Sequence, residues 1–156
     1  MNRFIKIALL TGLVPILAVS CTAKKKQEPA FIDYQAEMIA ADRDFSKLSE
    51  EKGMRFALLQ YIDGKGVLLR PNAAPLVGGN AISFISQGND TSYIMTWEPS
   101  GGTVAKSGEL GYTYGVYSLK PNDKDTIYYG TYVSVWKRQP DGKWKFALET
   151  GNEGIE

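Results

Sequence analysis

Histidine is absent from this chain and cysteine occurs once, so any acid–base chemistry falls to carboxylates, tyrosines, lysines and arginines. Asp42 is the foremost lone acid. It follows Met38 by four residues and precedes Phe45 by three, which sets it at the margin of an apolar helical stripe. A carboxyl half-sunk there would have its pKa raised and would suit proton transfer. The commoner role of such a residue is to pair with an arginine or cap loop backbone. Tyr61 sits mid-stripe on a second helical pattern, either as a ligand hydrogen-bond donor or as a satisfied core tyrosine. Trp97, Tyr112, Tyr114, Tyr132 and Trp136 fall on one side of the strand alternation drawn below. They would line a pocket for flat or apolar ligands, or simply fill a core. Arg70, between an apolar run and Pro71, has the planar fork that clamps a carboxylate, from a ligand or from the first helix. Glu149, by the same alternation, faces opposite Trp144 and so away from the pocket.

Other patterns carry less. Gly108 to Gly115 lacks the spacing and the following helix of a phosphate loop. Asp123-Lys124-Asp125 is too short for a calcium loop. No metal site and no cofactor are expected.

Cys21 places the protein. Arg3 and Lys6 open the chain, and Ile7 to Val19 is apolar apart from Thr11, Gly12 and Pro15. The run is shorter than the ~18 apolar residues of a membrane-spanning helix. Ala18-Val19-Ser20-Cys21 resembles a bacterial lipobox. The expectation is a lipoprotein signal peptide over 1–20, a lipidated Cys21 with a flexible tether to residue 30, and one domain over 31–156. Lipidation consumes the thiol, which removes thiol catalysis and disulfides. Lys24-Lys25-Lys26 in the tether is either a solvated spacer or an aid to holding an anionic surface. The expected location is the bacterial cell envelope, lipid-anchored to a membrane.

The whole chain has 18 basic and 17 acidic residues; without residues 1–20, which hold Arg3 and Lys6, its net charge is −1. Such a balance gives no field to attract nucleic acid.

The elements that must position these residues divide into helices first and strands later. Residues 33–51 carry Tyr34, Met38, Ala41, Phe45 and Leu48 on one helical face, and Gly53 ends or kinks that helix. A second helix runs from about Lys52 to Ile62 with Met54, Ala57, Leu58 and Tyr61 on its stripe. Phe56 and Leu59 lie off that stripe, which predicts burial on most sides. Asp63-Gly64-Lys65-Gly66 reads as a turn, Val67 to Arg70 as a short strand, and Pro71 to Gly79 as a loop. Ala81, Ile82 and Ile85 predict a third helix capped by Asn80 and ending near Gly88.

From Tyr93 the period becomes two. Strands are predicted near 93–98, 103–107, 110–119, 127–138 and 143–150, with turns at Pro99-Ser100-Gly101-Gly102 and Gln139-Pro140-Asp141-Gly142. Eleven of the 18 aromatics fall between Tyr93 and Phe146, so the sheet carries most of the large apolar surface. This order predicts an α+β domain, three helices packed on an antiparallel sheet of roughly four to six strands. The bulky side of each alternation should face the helices: Tyr93, Met95, Trp97; Leu110, Tyr112, Tyr114, Val116; Trp144, Phe146, Leu148. Each large side chain so buried is worth about 1.5–3 kcal/mol. Val133 and Val135, behind Tyr132 and Trp136, leave apolar surface that a second subunit would cover.

The segments also occur in a familiar order. Ala41-Asp42-Arg43-Asp44-Phe45-Ser46 precedes Glu51-Lys52-Gly53-Met54, then Leu69-Arg70-Pro71 and Pro75-Leu76-Val77-Gly78. Thr96-Trp97-Glu98-Pro99 and Ser107 to Gly115 follow, then Gly130 to Trp144 and Glu149-Thr150-Gly151. Over residues 33–151 the chain resembles the SnoaL-like, ketosteroid-isomerase-like families of the nuclear-transport-factor-2 superfamily, above all the bacterial domain of unknown function family 4440. The resemblance implies a cone: three N-terminal helices wrapped by a curved antiparallel sheet, a pocket at the wide end, and often a homodimer. It hosts many functions, and no complete catalytic set transfers by motif. The expected activity is binding of a small, partly apolar molecule. The alternatives are a cofactor-independent proton-transfer enzyme of isomerase, cyclase or dehydratase type with Asp42 as base, and a dimeric interaction module with a closed pocket.

Overall fold

Asp33 starts the first helix by accepting the Ala36 N–H at 3.0 Å. In the computed structural model, which describes residues 32–155, helix α1 then runs Tyr34–Lys52 and α2 Met54–Tyr61. Gly53 joins them at φ 88°, a conformation that favours glycine. Asp90 caps α2 from a distant loop, its Oδ2 accepting the Arg55 N–H at 2.6 Å. Strands β1 (Ile62–Leu68) and β2 (Leu76–Val77) precede α3 (Gly79–Gln87). The four long strands β3 (Tyr93–Val104), β4 (Leu110–Pro121), β5 (Tyr128–Arg138) and β6 (Trp144–Glu153) complete one sheet, ordered β2-β1-β6-β5-β4-β3.

The α+β class, the three early helices and the antiparallel meander of the four late strands match the sequence reading. The core gathers under α1, where Phe45 packs edge-on to Trp97 at 4.6 Å and stacks on Phe146 at 5.7 Å between ring centroids.

Several expectations fail for identifiable reasons. The sheet is not wholly antiparallel: β1 pairs parallel with β6, which the long connection between them permits. Asp63 to Gly66 is no chain reversal but an irregular stretch within β1, with Asp63 Oδ1 accepting the Lys65 N–H at 2.8 Å. The segment from Pro71 to Gly79 contains the short β2, and Gly78 rather than Asn80 occupies the start of α3. Pro99 to Gly102 does not separate two strands. It is a bulge inside β3, where Ser100 is the extra residue and the edge position tolerates Pro99. Helix α2 is two-faced, with Phe56 46% exposed.

The largest correction concerns β4. Its buried side is Gly111, Thr113, Gly115 and Tyr117, while Leu110, Tyr112, Tyr114 and Val116 point outward. Helix α1 lies too close for a bulky inner face here. A Cβ on Gly111 would sit 2.6 Å from Met38 Sδ and 2.6 Å from the Thr103 carbonyl. Small residues let backbone and helix approach, and this outweighs the gain from burying the tyrosines.

Candidate functional site

Asp42 projects from α1 into the sheet and has no exposed surface. Trp97 Nε1 donates to its Oδ1 at 2.7 Å, and Tyr132 OH donates to its Oδ2 at 2.7 Å. Helix and strand are aligned by two further bonds: the Trp97 N–H to Ser46 Oγ at 2.8 Å, and Ser49 Oγ to the Met95 carbonyl at 2.8 Å. Burial pushes the Asp42 carboxyl above the ordinary range, against the downward pull of its donors. Burial and the neighbouring Asp42 carboxylate push the Tyr132 phenol upward in turn.

A cavity of about 370 Å³ opens beside this network, between α2, α3 and the inner face of β3, β4 and β6. Met54, Leu58, Ile85, Met95, Tyr117 and Leu119 give it apolar walls, and Arg70 and Glu149 supply charge. Arg70 Nη2 lies 2.6 Å from Glu149 Oε2. The guanidinium N–H is not aligned on that oxygen, which is buried without a directed hydrogen bond, so the contact is an ion pair by distance alone. Burial raises the Glu149 carboxyl's pKa, only partly offset by the Arg70 charge. A void of about 10 Å³ runs deeper, bounded by Phe45, Met54, Trp97, Tyr132, Ser134 and Glu149 among others. Asp42 therefore stands behind Trp97 and Tyr132, and neither the cavity nor this void has it as a wall.

The residues singled out by sequence do not share one cavity. Arg70 lines the 370 Å³ cavity. Trp97 and Tyr132 meet at Asp42 and border the small void. Trp136 is fully buried in the core, its Nε1 donating to Thr113 Oγ1 at 2.8 Å. Tyr61 stacks on Phe45 at 4.9 Å and borders a separate groove with α1 and the β5–β6 hairpin. Tyr112 and Tyr114, 44% and 50% exposed, lie on the outer sheet face for the reason given for β4. Cys21 lies outside the described residues.

Glu149 also lies on the side opposite to the one that strand alternation predicts. Val135 pairs with Leu148 and Trp136 with Phe146, which leaves Ala147 as a bulge in β6. That extra residue reverses the alternation, so Leu148 shares a side with Val135 and Glu149 turns inward beside Ser134. An acid following Trp-x-Phe, with an arginine after an apolar strand elsewhere, was the available signal. Among the described residues no group of three or more His, Cys, Asp or Glu side chains comes together as a metal site.

The fold has solved relatives. A ketosteroid isomerase-like protein from Erwinia carotovora atroseptica is 14% identical, with a TM-score of 0.64 over 81% of this chain and 100% of its own. An NTF2-like protein with a cystatin-like fold from Novosphingobium aromaticivorans is 15% identical, with a TM-score of 0.58 over 74% of this chain and 79% of its own. A protein from Catenulispora acidiphila, solved in complex with S-DNPA, is 15% identical, with a TM-score of 0.55 over 76% of this chain and 91% of its own. No family model matches the sequence. No curated protein matches it significantly. The likeness shows an NTF2-like fold.

Proposed function

We propose that this protein is a lipid-anchored envelope protein that holds a small, partly apolar molecule in the cavity between α2, α3 and the sheet. The single observation that carries the binding reading is the 370 Å³ space with methionine, leucine and tyrosine walls and the Arg70–Glu149 pair beside them. Such a lining buries an apolar body and orients one polar group. The complex of the Catenulispora relative with S-DNPA supports small-molecule binding on this fold. The order of motifs supports the SnoaL-like branch and the domain of unknown function family 4440. Native mass spectrometry of protein purified from its own host tests the reading. Wild type should retain a non-covalent small-molecule adduct, and Leu119→Trp, which fills the cavity, should not. Identical spectra for the two would contradict it.

The anchor rests on the sequence around Cys21. Cys21→Ser should abolish the lipid mass and release the protein from membranes; equal mass and equal solubility of the two forms would contradict it. A second subunit is proposed on the outer sheet face, where Leu110, Tyr112, Tyr114 and Val116 are each 40–50% exposed.

A proton-transfer enzyme is the second reading, and one observation favours it: Glu149 lines the cavity with a carboxyl whose pKa is raised. Asp42 suits that role less, since both its oxygens accept buried hydrogen bonds.

A further inference from the structure

Every charge beside the inner part of the cavity is already matched. Arg70 pairs with Glu149 at 2.6 Å. Asp90 receives the Arg55 backbone N–H at 2.6 Å, with the Arg55 guanidinium 4.0 Å away. Glu153 adds one acid to the lining. A carboxylate or phosphate entering this space would approach Glu149, Asp90 and Glu153 as well as the arginines. An ammonium would approach Arg70 and Arg55. The lining holds three acids against two arginines, so an anion meets net repulsion. For an ammonium, the one lining acid not paired with an arginine among the described residues is Glu153, which is solvent-exposed. Either charge therefore loses its hydration for little return.

The ion pair nevertheless borders the cavity. Glu149 lines it with a side chain 10% exposed, while its Oε2 is buried against Arg70. Arg70 spends Nη1 on its own Leu69 carbonyl at 3.0 Å, and its side chain remains 26% exposed. A carboxylate acceptor and a guanidinium donor thus stand side by side at an apolar cavity. The group that satisfies both is uncharged and carries an N–H next to a C=O.

From this juxtaposition we infer that the ligand is a neutral amide or lactam with an apolar body, its N–H on Glu149 and its carbonyl on Arg70. This rests on the binding reading above and narrows it to one chemical class. Each bond would be charge-assisted on the protein side, the stronger kind of hydrogen bond. The apolar body would lie along Met54, Leu58, Met95 and Leu119.

Isothermal titration of the full chain with three matched probes tests the inference: para-butylbenzamide, para-butylbenzoate and para-butylbenzylammonium. The amide should bind at least about ten-fold more tightly than either charged probe, a gap of about 1.4 kcal/mol. Glu149→Gln strands the Arg70 charge and should strengthen benzoate binding about ten-fold. Arg70→Gln strands Glu149 and should strengthen the ammonium probe instead, which keeps the test open if one variant misfolds. Tightest binding of a charged probe by wild type would overturn the amide class while leaving the cavity reading intact. So would an unchanged benzoate affinity in folded Glu149→Gln, or an unchanged ammonium affinity in folded Arg70→Gln. Binding of none of the three to folded wild type would overturn both.

Discussion

Tyr132 donates a hydrogen bond to Asp42 Oδ2 at 2.7 Å, joining β5 to α1 across 90 positions of sequence. Trp97 reaches the same carboxyl from β3 at 2.7 Å, so one acidic side chain ties the first helix to two strands. The three come from distant segments and close the core beside the cavity. Their geometry is that of a satisfied buried polar network, which fixes how α1 sits on the sheet.

Removing the acceptor should cost more than reshaping it. Asp42→Ala leaves the Trp97 and Tyr132 donors buried without partners, and should destabilise the domain by about 2–5 kcal/mol. Asp42→Asn keeps an acceptor for Trp97 and should cost about 1–2 kcal/mol. Urea unfolding followed by tryptophan fluorescence measures both; equal losses would contradict the network's role.

Two acids should give opposite pH dependences. The folded pKa of Asp42 is raised, chiefly by burial. The fold therefore favours its neutral form, and the stability that goes with it is present at low pH and lost as pH rises through the raised value. Asp63 is held low, first by the Lys65 N–H at 2.8 Å and also by Gln139 and Lys137. Its contribution is present above the unfolded pKa and lost as pH falls through the folded one. Melting curves across the acid range should show Asp42→Asn gaining on wild type as pH rises. Asp63→Asn should lose ground over the same rise. Parallel curves for all three proteins would contradict these assignments.

How far the sequence was legible follows from the same residues. The α1 stripe announced Met38 and Phe45 as core, and the β3 alternation pointed Trp97 inward, because one helix face and one strand face obey simple periods. The β4 alternation misled, since it weighs side-chain bulk and not the clearance beneath a helix. At Gly111 the approach of Met38 decides the face. Glu149 was hidden by Ala147, one inserted residue that turns every later side chain over. The ion pair of Arg70 with Glu149 depends on β1 lying parallel to β6, a pairing that no local pattern encodes.

The outer face of β4 should hold two copies of the chain together. Val116→Lys and Tyr114→Lys place charge on a surface where the native side chains are 40% and 50% exposed, so the fold should survive both. Light scattering after size exclusion should show a wild-type dimer and monomeric variants with unchanged circular dichroism. A wild-type monomer at the same concentration would contradict the interface.

The most direct test of the central claim uses the methionine methyl groups as reporters. Met54 and Met95 line the cavity, whereas Met38 is fully buried against Gly102 and Gly111, away from it. In the carbon–proton spectrum of methyl-labelled protein, added para-butylbenzamide should shift the Met54 and Met95 signals progressively and leave Met38 in place. Signals of Met54 and Met95 that stay still under saturating probe, or shifts confined to Met38, would contradict binding in this cavity.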